Sequence, residues 1–164
     1  MEAFTRAPED VSLRRLVSFG LSPQLKNSFE QIFSAPFLIE MLLVELHNSI
    51  EHDLLVRLHF DGSFEFVSSP IAVVGSNPES EKAAQAWLNS TLNQDSPREE
   101  VVEKLLQAWW LLRENKSFTE VPSEEERRNG WRAAIKDKTL EIGWLVRDTT
   151  RQARFSWLVL PELK

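Results

Sequence analysis

The stretch LLVRLHFDGSFEFV, residues 54–67, alternates apolar and polar side chains on both sides of Asp61-Gly62. That pattern is the strongest short-range signal for a β-hairpin. Its register follows from the side chains. A two-residue turn would pair Phe60 with Ser63 and set Leu58 opposite Glu65, mixing apolar and charged groups on one face. A three-residue loop of Phe60, Asp61 and Gly62, with the glycine in the left-handed conformation, instead pairs Leu58 with Phe64 and Val56 with Phe66. It also places Arg57 opposite Glu65 on the wet face. The bulged hairpin is therefore the expected form.

A second hairpin is read over 139–160. Leu140, Ile142, Trp144 and Val146 form the stripe of one arm, and Phe155, Trp157 and Val159 that of the other. An even set facing an odd set requires an even loop. Four residues, 148–151, pair Trp144 with Phe155 and Ile142 with Trp157. Leu145, Leu158 and Leu160 point the other way, so this hairpin is apolar on parts of both faces. Residues 71–74, after Pro70, read as a short edge strand.

Prolines and capping residues mark the helices. Pro8, Pro23, Pro78 and Pro97 suit first-turn positions, with Ser22, Asn77 and Ser96 before three of them as acceptors for first-turn amides. Ser96 with Glu99 and Ser123 with Glu126 have capping-box spacing. These signals predict helices near 8–19, 23–33, 37–51, 78–92, 97–114 and 124–136, with Gly20 ending the first. The segment 37–51 holds MLLVEL, which reads equally as a buried strand; its length and glutamate spacing favour a helix. The expected architecture is α+β: one domain over 1–164, an antiparallel sheet of about five strands, and five or six helices on one face or at one end.

The composition suits such a domain. The chain has 164 residues, 42% apolar and 27% charged, a size that buries a core without disulfides or metals. It has no cysteine, which excludes thiol catalysis, thiolate metal sites and disulfide scaffolds. The opening MEAFTRAPED carries charges where a signal peptide needs an apolar run, so a cytoplasmic location is expected. The longest apolar stretch, 37–46, is interrupted by Glu40 and Glu45 and too short to cross a bilayer. With 19 basic and 25 acidic groups the net charge is −6, which disfavours general nucleic-acid binding. Residues 1–116 contain 10 basic and 17 acidic groups, so the acidity belongs to the first two-thirds of the chain.

No phosphate-cradling glycine loop, dinucleotide fingerprint or nucleophile elbow occurs. The histidines are His47, His52 and His59. His47 and Glu51 would share a helix face, but nothing completes a metal site, and His59 reads as a wet-face residue beside Arg57. The acidic pairs, such as Glu99 with Glu103 and the run 124–126, read as charges favouring helix starts. No cofactor or metal is expected.

The aromatic inventory is unusual: six Trp, ten Phe and no Tyr. On the helix from Pro97, residues Val101, Val102, Leu105, Leu106, Trp109 and Leu112 form one stripe of roughly 140°. Trp110 and Leu111 fall outside it, with Glu103, Lys104 and Gln107. Either a second layer of the same domain covers them or they contact another chain. Arg147, Arg151 and Arg154 gather at the tip of the second hairpin, where they could hold a phosphate or a partner's carboxylates.

These features point to a non-catalytic protein-binding module, an adaptor, chaperone or inhibitor-type regulator. It would act through an apolar tryptophan patch and charge complementarity, with Trp110, Leu111, Arg147, Arg151 and Arg154 meeting another protein or a second copy in a homodimer. An alternative is a nucleic-acid-associated regulator using the arginine tip. A third reading is a small enzyme with a carboxylate or histidine site assembled from distant residues.

Overall fold

The computed structural model describes residues 12–75, 77–138, 141–147 and 155–158. The fold is α+β, with two small antiparallel sheets of three and two strands in place of one sheet of five. The chain divides into two compact units, Met1–Val74 and Gly75–Lys164.

In the first unit, α1 (Leu13–Arg15), a wider π-type segment (Leu16–Leu21) and α2 (Ser22–Glu30) run on as one helical rod. Together with α3, α4 and α5 below, the described residues hold four such helical bodies. Gly20 does not end the first helix: the wider turn carries the chain through it, with the Ser22 amide donating to the Val17 carbonyl. The Ser12 hydroxyl caps the start of the rod by accepting from the Arg15 amide at 3.3 Å. The Glu45 carboxylate, reaching over from the sheet, accepts from the Leu13 amide at 2.9 Å.

The rod lies on a sheet ordered β1 (Met41–Glu45), β2 (Leu54–Leu58), β3 (Phe64–Phe66). The hairpin of β2 and β3 has the expected register, Val56 with Phe66, Arg57 with Glu65 and Leu58 with Phe64. Gly62 takes a φ of 84°, the left-handed conformation required by the bulged loop. This loop is held against the rod. The Ser22 hydroxyl donates to the Gly62 carbonyl at 2.6 Å, and a β-carbon on Gly62 would come within 2.9 Å of the Lys26 amide nitrogen. Ser22 thus ties loop to helix, where a first-turn cap was expected.

Residues 41–45 form a strand, not part of a helix over 37–51. Met41 and Leu43 pair with Leu58 and Val56, completing an apolar face beneath Leu13, Val17 and Leu25. Burial across the sheet outweighed the helical spacing of the glutamates, and Glu45 serves as the distant cap just described. Residues 71–74 are not in a strand.

The second unit is built on α3 (Pro78–Thr91), α4 (Arg98–Arg113) and α5 (Glu124–Ile135). Asn77 caps α3 as expected, accepting from the Glu79 amide at 2.8 Å. Ser123 caps α5 through the Glu126 amide at 3.2 Å. Ser96 does not cap α4; its hydroxyl instead accepts from the Asn93 amide at 3.2 Å in the preceding turn. Asn115, with φ of 50°, ends α4 in the left-handed conformation while the Lys116 amide returns to the Leu111 carbonyl.

The face of α4 that packs differs from the expected stripe. Leu105, within the stripe, is exposed, while the buried face runs from Val102 and Leu106 round to Gln107, Trp110 and Leu111. Two features of α5 account for the rotation. Gly130 leaves room for the Trp110 indole, whose Nε1 would lie 2.8 Å from a β-carbon there. Arg127 donates to the Gln107 side-chain oxygen at 2.8 Å, and Arg128 donates to the Glu103 carboxylate at 2.7 Å. The polar groups of this face therefore enter the seam already hydrogen-bonded.

The second sheet pairs β4 (Ile142–Leu145) with β5 (Phe155–Leu158), with Trp144 opposite Ser156 and Leu145 opposite Phe155. This is one residue away from the expected register, and it exchanges the faces. Ile142 joins the core of Val102, Leu106, Trp110, Leu111 and Trp131, while Phe155 and Trp157 share the other face with Leu145 and Gly143. Gly143 explains the choice, since a β-carbon there would meet the Phe155 ring at 2.8 Å. The loop 148–151 and the outer strand positions Leu140, Val159 and Leu160 lie outside the described residues, as does Pro8.

Two outcomes are expected from the α4–α5 seam. Gly130→Ala should lower stability by about 1–3 kcal/mol through overpacking against Trp110, although the same change at an open helix position raises stability by up to about 1 kcal/mol. Urea unfolding checks the sign. The second concerns Glu103, whose pKa is lowered first by the Arg128 hydrogen bond, against the opposing effect of burial. A depressed carboxylate pKa stabilises the fold above the ordinary carboxylate range, and that stabilisation fades as pH falls through the lowered value. Glu103→Gln should accordingly unfold more readily than the parent at pH 7, with the difference shrinking in acid; a pH-independent difference would refute the charge pairing.

Candidate docking surface

The histidines serve local contacts in the first unit. Among the described residues no three His, Asp or Glu side chains are grouped so as to hold a metal ion. His47 lies beyond β1, not on a helix face with Glu51, and its Nε2 is 3.6 Å from the Glu45 carboxylate. His52 meets the Ser49 hydroxyl at 2.7 Å. His59 is more than a wet-face residue: its Nδ1 lies 3.0 Å from the Glu40 carboxylate, which also accepts from Arg57 at 2.5 Å. Glu103, one of the paired carboxylates, is a charged partner of Arg128 with a lowered pKa. A general acid working near neutrality would need its pKa raised instead.

Trp110 and Leu111 are not a docking patch. Trp110 is 8% exposed and Leu111 0%, both inside the core shared by α4 and α5. The second layer of the same unit covers them, and the reason is the Gly130 notch and the arginine partners of Gln107 and Glu103. Arg147 is exposed just beyond β4. Arg151 and Arg154 lie outside the described residues.

The longest run of exposed apolar side chains among the described residues lies in the connection from α2 to β1. After Glu30 the backbone turns extended at Gln31, and the Ser34 hydroxyl donates to the Gln31 side chain at 2.7 Å. Pro36 removes an amide donor and prevents a return to helix. The chain then reaches β1 through Glu40, anchored by Arg57 and His59 on β2. This route leaves the apolar side chains of the connection without a covering layer. Ile32 is 89% exposed, Phe33 fully exposed and Leu38 75% exposed, with Phe37 and Ile39 also open. Phe29, at the end of α2, packs on Phe60 of the hairpin loop with ring centroids 5.5 Å apart, so the strip begins on firm structure. No charged residue occurs from Gln31 to Ile39.

The strip is continuous with β1, an edge strand whose Val44 is 52% exposed. Sequence reading missed this surface because a helix over 37–51 would have turned half of these side chains inward. The available signal was Pro36 within an uncharged run rich in phenylalanine. A smaller apolar face occurs on the second unit, where Phe155 and Trp157 meet edge to face at 5.0 Å and both are exposed.

The strip has the chemistry of a docking surface: large apolar side chains, no charge, and an adjoining strand edge whose backbone can pair. Among the described residues no helix is long and apolar enough to cross a membrane. The chain matches no protein-family model, and no curated protein or solved structure shows significant similarity to it.

Proposed function

We propose that the protein is a non-catalytic protein-binding module of the adaptor, chaperone or inhibitor type, and that it docks through residues 31–39 and the neighbouring edge of β1. The observation that carries this reading is the fully exposed Phe33, flanked in the same short connection by Ile32, Phe37, Leu38 and Ile39, all open to water. Covering such side chains is favourable by about 25 cal/mol for each Å² of apolar surface. A soluble chain that displays several of them together gains most when a partner covers them.

Charge supports a partner chosen by apolar fit. Glu30 and Glu40, which bracket the strip, are each engaged inside the unit, Glu30 by Lys26 at 3.9 Å and Glu40 by Arg57 and His59. The docking surface therefore presents no uncompensated charge of its own. It requires no cofactor and no metal.

Replacing Phe33 or Leu38 with Asp tests the reading. Both side chains make almost no contact within the chain, so unfolding free energy should change by no more than about 0.5 kcal/mol. Association measured by cross-linking from a photoreactive group at position 32 should weaken by about 1–4 kcal/mol, the range of an interface hot spot. Cross-linked protein that persists unchanged in both variants would place the docking surface elsewhere.

A further inference from the structure

We infer that the occupant of this surface is a second copy of the chain, whose β1 adds antiparallel to β1 about a two-fold axis passing at Leu43. The inference rests on the docking reading above and names its partner. Among the described residues β1 pairs with β2 on one side only, leaving its other edge open for strand addition.

Its sequence suits pairing with itself. With the axis at Leu43, Leu42 of one protomer faces Val44 of the partner subunit, the same contact recurs across the axis, and the two Leu43 residues face each other. A two-fold interface needs this self-complementarity, because the same patch must serve both sides. The one mixed pair sets Met41 opposite Glu45. The Glu45 carboxylate is already occupied by the Leu13 amide at 2.9 Å and lies 3.6 Å from His47, so it adds no unpaired charge.

The area is also of the required order. Ile32, Phe33, Phe37, Leu38, Ile39 and Val44 are all exposed. With whole aromatic side chains at about 150–250 Å², they present on the order of 700 Å², close to the roughly 800 Å² each partner gives to a stable interface. Strand addition alone would cover less; the strip preceding β1 supplies the rest.

Electrostatics gives the pairing a signature. Residues 1–74 contain five basic and ten acidic side chains, so two copies of this unit repel each other at long range. Added salt screens that repulsion and should tighten the dimer, whereas an oppositely charged foreign partner would be released by salt.

Light scattering on the purified full chain should give twice the chain mass of 19.0 kDa, with the dimer favoured as salt rises. Val44→Lys puts a charge at an exposed edge position and should weaken dimerisation at least roughly tenfold, with the circular dichroism of the folded chain retained. Because the chain has no cysteine, a register test is clean. A mixture of Leu42→Cys and Val44→Cys chains should form an interchain disulfide under mild oxidation, well above either variant alone. A parent that stays monomeric to about 100 μM, or a dimer whose mixed cysteine variants do not cross-link, overturns the inference. A monomer in which position 32 still cross-links a foreign protein overturns self-pairing alone and leaves the docking reading in place; a monomer that cross-links nothing overturns both.

Discussion

A three-stranded sheet has two faces, and among the described residues of the first unit one helical rod packs on it. Val56 and Leu58, both completely buried, sit in the central strand and take the rod's Leu13, Val17 and Leu25 on one side. Each such aliphatic side chain contributes about 1.5–3 kcal/mol by leaving water. The sheet register, the position of Gly62 under the rod and the path of the chain into β1 all follow from filling that face. That packing leaves exposed, among other positions, Val44 on the edge strand β1 and the connection that carries the chain from the end of the rod back to the sheet.

The second unit solves a different packing problem. α4 carries Trp110 and Leu111 outside its main apolar stripe, so more than one face could have become its core. α5 selects among them by shape and by polar pairing. A tryptophan fits where Gly130 has no side chain, and the buried Gln107 is satisfied by Arg127, whose guanidinium also donates to the Pro122 carbonyl. Leaving the Gln107 side-chain oxygen unpaired in that seam would cost about 1–3 kcal/mol, so the arginine is as much a condition of the packing as the glycine. Trp110 is thereby committed to the interior.

Within a few residues of a turn the physical constraints are local, and there the sequence is readable. The Asp61-Gly62 hairpin and its register follow from alternation and the conformational freedom of glycine, and the helix starts at Asn77 and Ser123 follow from their capping oxygens. The second hairpin was located but its register slipped by one, because the deciding contact is the Phe155 ring lying over Gly143, and stripe counting gives a missing side chain no weight. The exposed strip is hidden by the ambiguity of 37–51. Helix and strand differ there only in whether Met41 and Leu43 find Leu58 and Val56 across a sheet, which is a non-local question.

By itself the sequence determined the α+β class, the first hairpin, three of the helices, and the absence of any thiol. Each of these depends on side-chain chemistry or on neighbours a few positions apart. Tertiary structure alone decided which side of α4 is buried, that β1 is a strand, and that the apolar side chains between Ile32 and Ile39 face water. These outcomes depend on the volume and hydrogen-bonding capacity of residues far along the chain, Gly130 and Arg127 for α4 and Val56 and Arg57 for β1, and periodicity within one segment has no access to them.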